Sequence, residues 1–328
     1  FTADNLAPTE ITIVQAGQTA GKELTLFQLN IWEECGHNST DGYSAFQSLV
    51  DQIVALEPDF ATFCELYKNG DDMVMKKLVA ALKERGLTYY AETGFGKGGG
   101  GAIALDDQQC IFNMYGGEIS GNNGKNYGGA IFRKFNANMP NTTGGNFNMY
   151  GGVIKNNTAK NGGAFFSTTG GTINMTGGTI SGNEATQNSN NAGGGAIYMR
   201  GNGKINISGS AQISGNSSSL DGGAILMGWG TINISDSAKI SNNTASRWGG
   251  AICLRQDSNQ VTTLNMRGGE ISGNRAMKEG GAVHVLDKDC KFYLYDGKIT
   301  GNTSGDGGAI YLNQEPSWLI MQGGEISG

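Results

Sequence analysis

Proline is scarce in this chain, with 4 in 328 residues, and histidine is scarcer still, with 2. Charge is also thin, at 16% Asp, Glu, Lys and Arg. No run of about 18 apolar residues occurs, so no segment has the length of a membrane-spanning helix. The net charge of −6 leaves no basic face for a nucleic-acid backbone. Imidazole catalysis is confined to His37 and His284. The 5 cysteines are Cys35, Cys64, Cys110, Cys253 and Cys290. An odd count at irregular spacing fits neither a disulfide framework nor a zinc site. They read as free thiols packed as small apolar side chains. The chain opens on Phe1 without an apolar leader; a signal peptide already removed and one never present both stay open.

Glycine is what the chain has in excess, at 55 residues. Without a Gly-X-Y period it is not collagen, and without proline it is not an ordinary linker. Hydrophobic residues still make up 38%, enough to bury a core. The glycines mark a repeat. Gly-Gly-Ala recurs with its alanine at 102, 130, 164, 196, 224, 251, 282 and 309, at spacings of 28, 34, 32, 28, 27, 31 and 27. An isoleucine ahead of a Gly/Asn turn recurs at Ile119, Ile154, Ile180, Ile213, Ile240, Ile271, Ile299 and Ile326. Between these markers lies a short apolar-x-apolar piece, such as "FNM" at 112 or "INI" at 205.

Each unit thus holds three strand-like pieces, none with helical periodicity and each too short to stand alone. Three short strands every 27 or more residues predict a right-handed parallel β-helix of about eight coils over 102–328, with like positions laddered roughly 4.8 Å apart. The longer units put their extra residues into loops. The last unit stops inside a coil, so the native chain is expected to continue. One asparagine follows each third strand: Asn122, Asn157, Asn183, Asn216, Asn243, Asn274 and Asn302. Asparagine tolerates left-handed backbone and bonds local amides. Stacked at one corner, these side chains are expected to bond to each other. The glycine pairs are expected to supply positive φ elsewhere.

In the first strand the residue after alanine is assigned inward. The next is then outward, which gives an apolar stripe of Phe132, Phe166, Tyr198, Leu226 and Tyr311. A large apolar patch in water marks a contact site. The stripe is therefore expected to meet protein, glycan or a second copy of the chain, unless long loops such as 132–145 fold back over it. The second strand sends Asn113, Asn148, Asn174, Asn206, Asn233 and Asn265 outward. The third alternates charge through Lys239, Glu270, Lys298 and Glu325, a solvated face that pins stacking register.

The "GGAI…GN" repeats resemble those of large bacterial surface and secreted proteins, including adhesin-like proteins of gut Firmicutes. They also distantly resemble chlamydial polymorphic membrane proteins, which carry "GGAI" with a separate "FxxN" motif that is not regular here. The resemblance covers about residues 101–328. It implies an extracellular or cell-surface location and an adhesin-like role.

Residues 23–92 have another texture. "ELTLFQLNI" (23–31), "DFATFCEL" (59–66) and "LTYYAE" (87–92) read as strands. "YSAFQSLVDQIVAL" (43–56) and "DDMVMKKLVAALKERG" (71–86) read as helices, the first ended by Pro58 and the second bounded by acids, bases and a terminal glycine. This order predicts a parallel sheet. "QLNIWEE" and "PDFATFCEL" resemble the start of the endonuclease/exonuclease/phosphatase superfamily. That resemblance implies an α/β sandwich, Mg²⁺-dependent phosphoester hydrolysis, and Asn30 and Glu65 as metal-holding residues. The family's catalytic His, Asp-x-Asn and Ser-Asp-His elements have no counterpart in context. The expected organisation is a strand segment at 1–22, a partial α/β segment and possible cap at 23–92, a Gly-rich junction at 93–101 and the β-helix at 102–328.

Three functions follow. The first is a non-catalytic surface scaffold, without cofactor, that self-associates or binds glycan or protein. The second is a Mg²⁺-dependent phosphodiesterase or phosphatase fused to, or interrupted by, a β-helix. The third is a β-helix polysaccharide lyase or hydrolase, which would need clustered carboxylates where the outward positions carry Asn, Ser and aromatics.

Overall fold

The computed structural model describes residues 26–30, 60–64, 101–105, 111–133, 146–168, 170–189, 192–256 and 260–328. Contacts divide the chain into two units, Phe1–Thr93 and Gly94–Gly328. In the first unit the strands Leu26–Asn30 and Phe60–Cys64 pair in parallel, residue for residue. The helices expected at 43–56 and 71–86, the strand at 87–92, the 1–22 segment and residues 93–100 of the junction lie outside the described residues.

The second unit is a parallel β-helix. Three ladders of eight strands each run through it. The first starts at Ile103–Leu105 and ends at Ile310–Leu312. The second starts at Ile111–Met114 and ends at Trp318–Met321. The third starts at Glu118–Ser120 and ends at Glu325–Ser327. The sequence did not announce a fourth, shorter ladder of five two-residue strands: Thr158–Ala159, Glu184–Ala185, Ser217–Ser218, Thr244–Ala245 and Arg275–Ala276. Two residues are too few to show a period, so the three-strand coil is corrected to one with a fourth side.

Alternation decides what goes inside. The residue after each Gly-Gly-Ala, the apolar pair flanking each second-strand centre and the third-strand isoleucines fill one continuous core. Ile154, Ile180, Ile213, Ile240, Ile271 and Ile299 are fully buried there. Each contributes about 1.5–3 kcal/mol relative to exposure. Ile119 is half-buried, and Ile326, in the last strand, is 36% exposed because no strand lies on its far side. Third-strand charges behave as expected: Lys239 lies 3.4 Å from Glu270, and Lys155 lies 2.9 Å from Glu118. These pairs are largely exposed, so each stabilises by less than about 1 kcal/mol.

The two glycines of each Gly-Gly-Ala have different tasks. Gly222 has φ +61°, and a side chain there would meet the carbonyl oxygen of Ile225 at 2.3 Å. It turns the chain back across its own next strand. At Gly223 a Cβ would sit 2.1 Å from the oxygen of Gly250, its counterpart one coil on. Adjacent coils meet there backbone to backbone. Gly223→Ala is therefore expected to prevent folding or to lower stability beyond the usual 0.5–3 kcal/mol of a point change. Gly215→Ala, at φ +64° but with open space around it, should cost only about 1–2 kcal/mol. Thermal melts of both variants check the contrast; equal shifts would refute the close-approach account.

Candidate functional site

The corner asparagines form a hydrogen-bonded column inside the unit. Asn183 shows the pattern. Its backbone N–H and its Nδ2 both donate to Oδ1 of Asn216, each at 2.9 Å. Its Nδ2 also donates to the carbonyls of Ile154, one coil back, and Ser181, two residues back, at 3.1 and 3.0 Å. The same bonds link Asn122, Asn157, Asn183, Asn216, Asn243, Asn274 and Asn302 in turn. Every interior Oδ1 accepts twice, and every interior Nδ2 shares two hydrogens among three carbonyls, which fills the amide's capacity. The left-handed residue is not the ladder asparagine. It is the residue before it: Gly121, Asn156, Gly182, Gly215, Asn242, Gly273 or Gly301, all at φ 54° to 68°. That corrects the conformational reason given for asparagine here.

The apolar stripe is not an outer surface. Phe132, Phe166, Tyr198 and Leu226 are buried, and with Cys253 and Leu286 they form a second core. Tyr127 and Trp248 pack against it. Tyr127 stacks on Phe132 and Phe166 with centroids 5.6 and 4.6 Å apart. Tyr127 and Trp248 each stand immediately before a Gly-Gly pair. The cover is thus the chain's own return from fourth side to first strand, rather than a partner. Tyr311 is half-buried and stacks on His284 at 5.3 Å. The stripe is therefore corrected from contact surface to interior.

Ionisable groups gather beside this second core. Asp221, wholly buried, receives two bonds from Arg247, at 2.7 and 2.6 Å. The Arg247 guanidinium lies 3.8 Å over the Trp248 ring, and Trp248 stacks on His284 at 5.2 Å. Cys253 Sγ is 4.0 Å from His284 Nδ1. Glu279 Oε2 is 3.2 Å from His284 Nε2, within ion-pair distance but outside hydrogen-bond geometry. A Cys–His–Glu set suggests a nucleophile, yet burial decides otherwise. It pushes the Cys253 thiol well up and, with Arg247 nearby, pulls the His284 imidazole down to about 3. A buried thiol beside a neutral imidazole is a packing unit, since the nucleophile is the thiolate. Burial also raises the Asp221 carboxyl, and the Arg247 bonds oppose that rise.

A second row of amides runs along the outside of the second ladder. Asn148 donates to Asn113 at 2.8 Å, Asn174 to Asn148 at 2.8 Å, Asn206 to Asn174 at 2.7 Å, Asn233 to Asn206 at 2.8 Å, and Asn265 to Asn233 at 3.0 Å. The donors point toward the N-terminal coil, opposite to the inner column. The sequence showed these residues outward, but not their bonding. Six consecutive units with Asn at the second-strand centre were the signal.

Asn30 is the last residue of its strand and the register partner of Cys64. Glu65 follows Cys64 and lies outside the described residues. Among the described residues, no three of His, Cys, Asp and Glu are grouped to hold a metal ion. Cys253 and Cys290 are free and buried, as expected of packed thiols.

Residues 237–255 match the Chlamydia polymorphic membrane protein (Chlamydia_PMP) repeat. That stretch contains one third strand, ladder Asn243, the fourth-side strand and the Gly-Gly-Ala return with Trp248. No curated protein and no solved structure matches the chain.

Two outcomes follow from this geometry. Asn216→Ala removes the shared acceptor of two buried donors on Asn183, so it should cost roughly 2–5 kcal/mol. Asn122→Ala, at the half-buried first described rung, should cost less; equal losses in denaturant titration would contradict the column's role. The His284 prediction concerns pH. Its folded value lies below the unfolded 6.5, so the unfolded chain binds the extra proton. Stability is fully present above about pH 6.5 and falls as pH drops toward 3. His284→Phe keeps a ring between Trp248 and Tyr311 and should flatten that fall. Asp221 titrates in both proteins and largely cancels in the comparison. Parallel pH–stability curves for parent and variant would refute the assignment.

Proposed function

We propose that the Gly94–Gly328 unit is a non-catalytic scaffold of the cell surface or extracellular space, with an adhesin-like role. The observation that carries this reading is the continuity of the ladders. Three sets of eight paired strands run coil on coil over roughly 34 Å for seven steps, and two shorter amide rows run with them. Such a unit is suited to hold outward faces at fixed spacing. Its side chains go to stacking rather than to a convergent reactive site, and its most site-like cluster is interior. The match to a repeat of polymorphic membrane proteins supports a surface setting. No helix among the described residues is long and apolar enough to cross a membrane.

A second reading keeps one observation. The parallel register sets Asn30 beside Cys64, the neighbour of Glu65, the pair that would hold Mg²⁺ in a phosphodiesterase. Mg²⁺-dependent hydrolysis of a phosphodiester by the full chain, lost in Glu65→Ala, would favour it over the scaffold.

The scaffold reading is tested on intact cells of the source organism. Antibody raised to the β-helix should label unpermeabilised cells, or detect the protein in the medium, and protease added outside should remove the signal. Labelling only after permeabilisation would overturn the surface assignment.

A further inference from the structure

We infer that the outward face of the second ladder, built on Asn113, Asn148, Asn174, Asn206, Asn233 and Asn265, binds a neutral polysaccharide chain lying along the coil axis. This deepens the scaffold reading and takes only its biological setting from it.

The three large faces of the β-helix differ in what they leave free. The first-ladder face is closed by the chain's own return strand, with Phe166, Tyr198 and Leu226 in the interior. The third-ladder face carries charges paired at Lys155–Glu118 and at Lys239–Glu270, with Val153, Thr179 and Gln212 between them. The second-ladder face is different. Its central column is made of uncharged, half-buried amides. An amide offers two N–H donors and two acceptor lone pairs. In Asn174, Asn206 and Asn233 the row uses one donor and one acceptor each. One donor and one acceptor per coil are left toward solvent, repeated at the coil spacing of roughly 4.8 Å.

That spacing is close to the length of one pyranose unit along an extended glycan. A sugar ring carries hydroxyls that both donate and accept, so it matches an amide donor–acceptor pair in every coil. Thr172, Thr231 and Thr263 flank the amides on the same face and are half-exposed. They add hydroxyls of the same dual character. At one end the column meets Tyr115 and Tyr150, the most exposed aromatic pair described, stacked 4.9 Å apart at 9°. At the other end Arg267 lies 4.2 Å over Tyr295. Aromatic rings give apolar surface to the C–H faces of sugars and keep a polar tip in water.

Other partners fit less well. The amide column has no apolar centre of the kind on which protein interfaces pack. Its strands are paired on both sides through the middle coils, so no edge is open for an added strand. An acidic glycan or nucleic acid would need more positive charge than Lys204, Lys291 and Arg267 supply in a chain of net −6.

The test is affinity electrophoresis of the full chain in gels containing soluble neutral β-glucan, xylan or mannan, with polygalacturonate as the anionic control. At least one neutral polymer should retard migration. Retardation should persist near 1 M salt, where charge attraction is screened within about 3 Å. The paired change Tyr115→Ser with Tyr150→Ser leaves both amide rows intact and should weaken retardation at least threefold. Asn206→Leu breaks the outer row at its middle and should weaken it at least tenfold; a melt beside the parent separates lost binding from lost folding. Should Asn206→Leu fail to fold, Thr231→Glu, on the same face, takes its place with the same expected loss. No retardation by any neutral polymer overturns the inference. So does retardation that survives all the face variants, or retardation by polygalacturonate alone that salt abolishes. Surface labelling of cells is independent of these gels, so the scaffold reading and the glycan face can fail separately.

Discussion

Everything in the β-helix answers to one distance, the roughly 4.8 Å that parallel backbone hydrogen bonds impose between coils. At that spacing each side chain lies directly over its counterpart in the next coil. A residue can repeat only if it tolerates itself as a neighbour. Isoleucine does, by packing. Aromatics do, by stacking, as Phe112 and Phe147 show at 5.3 Å and Phe132 and Phe166 at 6.0 Å. Asparagine does, because one end donates and the other accepts. A charge does not, and the third strand accordingly alternates Lys239, Glu270, Lys298 and Glu325 in register. Where backbone must touch backbone, at Gly223 and Gly250, no side chain is admitted at all.

This explains why so much of the architecture was legible. A distance constraint acting coil by coil writes itself as a period. The isoleucines, the corner asparagines and the charge alternation were all visible as residues that recur at one place in the unit. What failed was inference about which sides were open. Alternation in Phe165-Phe166 or Ile225-Leu226 says that two neighbours point opposite ways. It does not say that the second one points to water. The fourth side consists of Thr-Ala, Glu-Ala, Arg-Ala or Ser-Ser pairs, whose single inward residue is a small alanine or serine and gives no run of alternation to reveal it. From those pairs the chain returns over the first strand and covers the stripe. The clue was present at Tyr127 and Trp248, large rings standing before a glycine pair, where a simple turn has no need of them.

The same cover accounts for the chemistry that does not occur. His284 lies 4.0 Å from Cys253 on one side of its ring and 3.2 Å from Glu279 on the other. In an open cleft that grouping would invite acid–base work. Here His284 lies between Trp248 and Tyr311, so its ring serves as one layer of a stack headed by Arg247. The low-dielectric surroundings that make stacking tight also keep the imidazole neutral and the thiol protonated. Packing and reactivity compete for the same burial, and in this core packing wins.

The two amide rows show how nearby backbone decides what one side chain does. Both are made of asparagine, the inner over seven coils and the outer over six, and both bond rung to rung. They differ in the backbone within reach. At the corner the chain bends, so the carbonyls of Ile154 and Ser181 and the N–H of the preceding rung, Asn157, turn toward the Asn183 side chain. The inner amide is saturated and contributes only to stability. Along the second strand the backbone groups are spent on neighbouring strands, and each amide finds nothing but its own kind. Half of its capacity is left over on the water side. One residue type thus acts as a fastener in one column and as an available surface in the other. The choice is made by the direction of nearby peptide groups, not by the side chain.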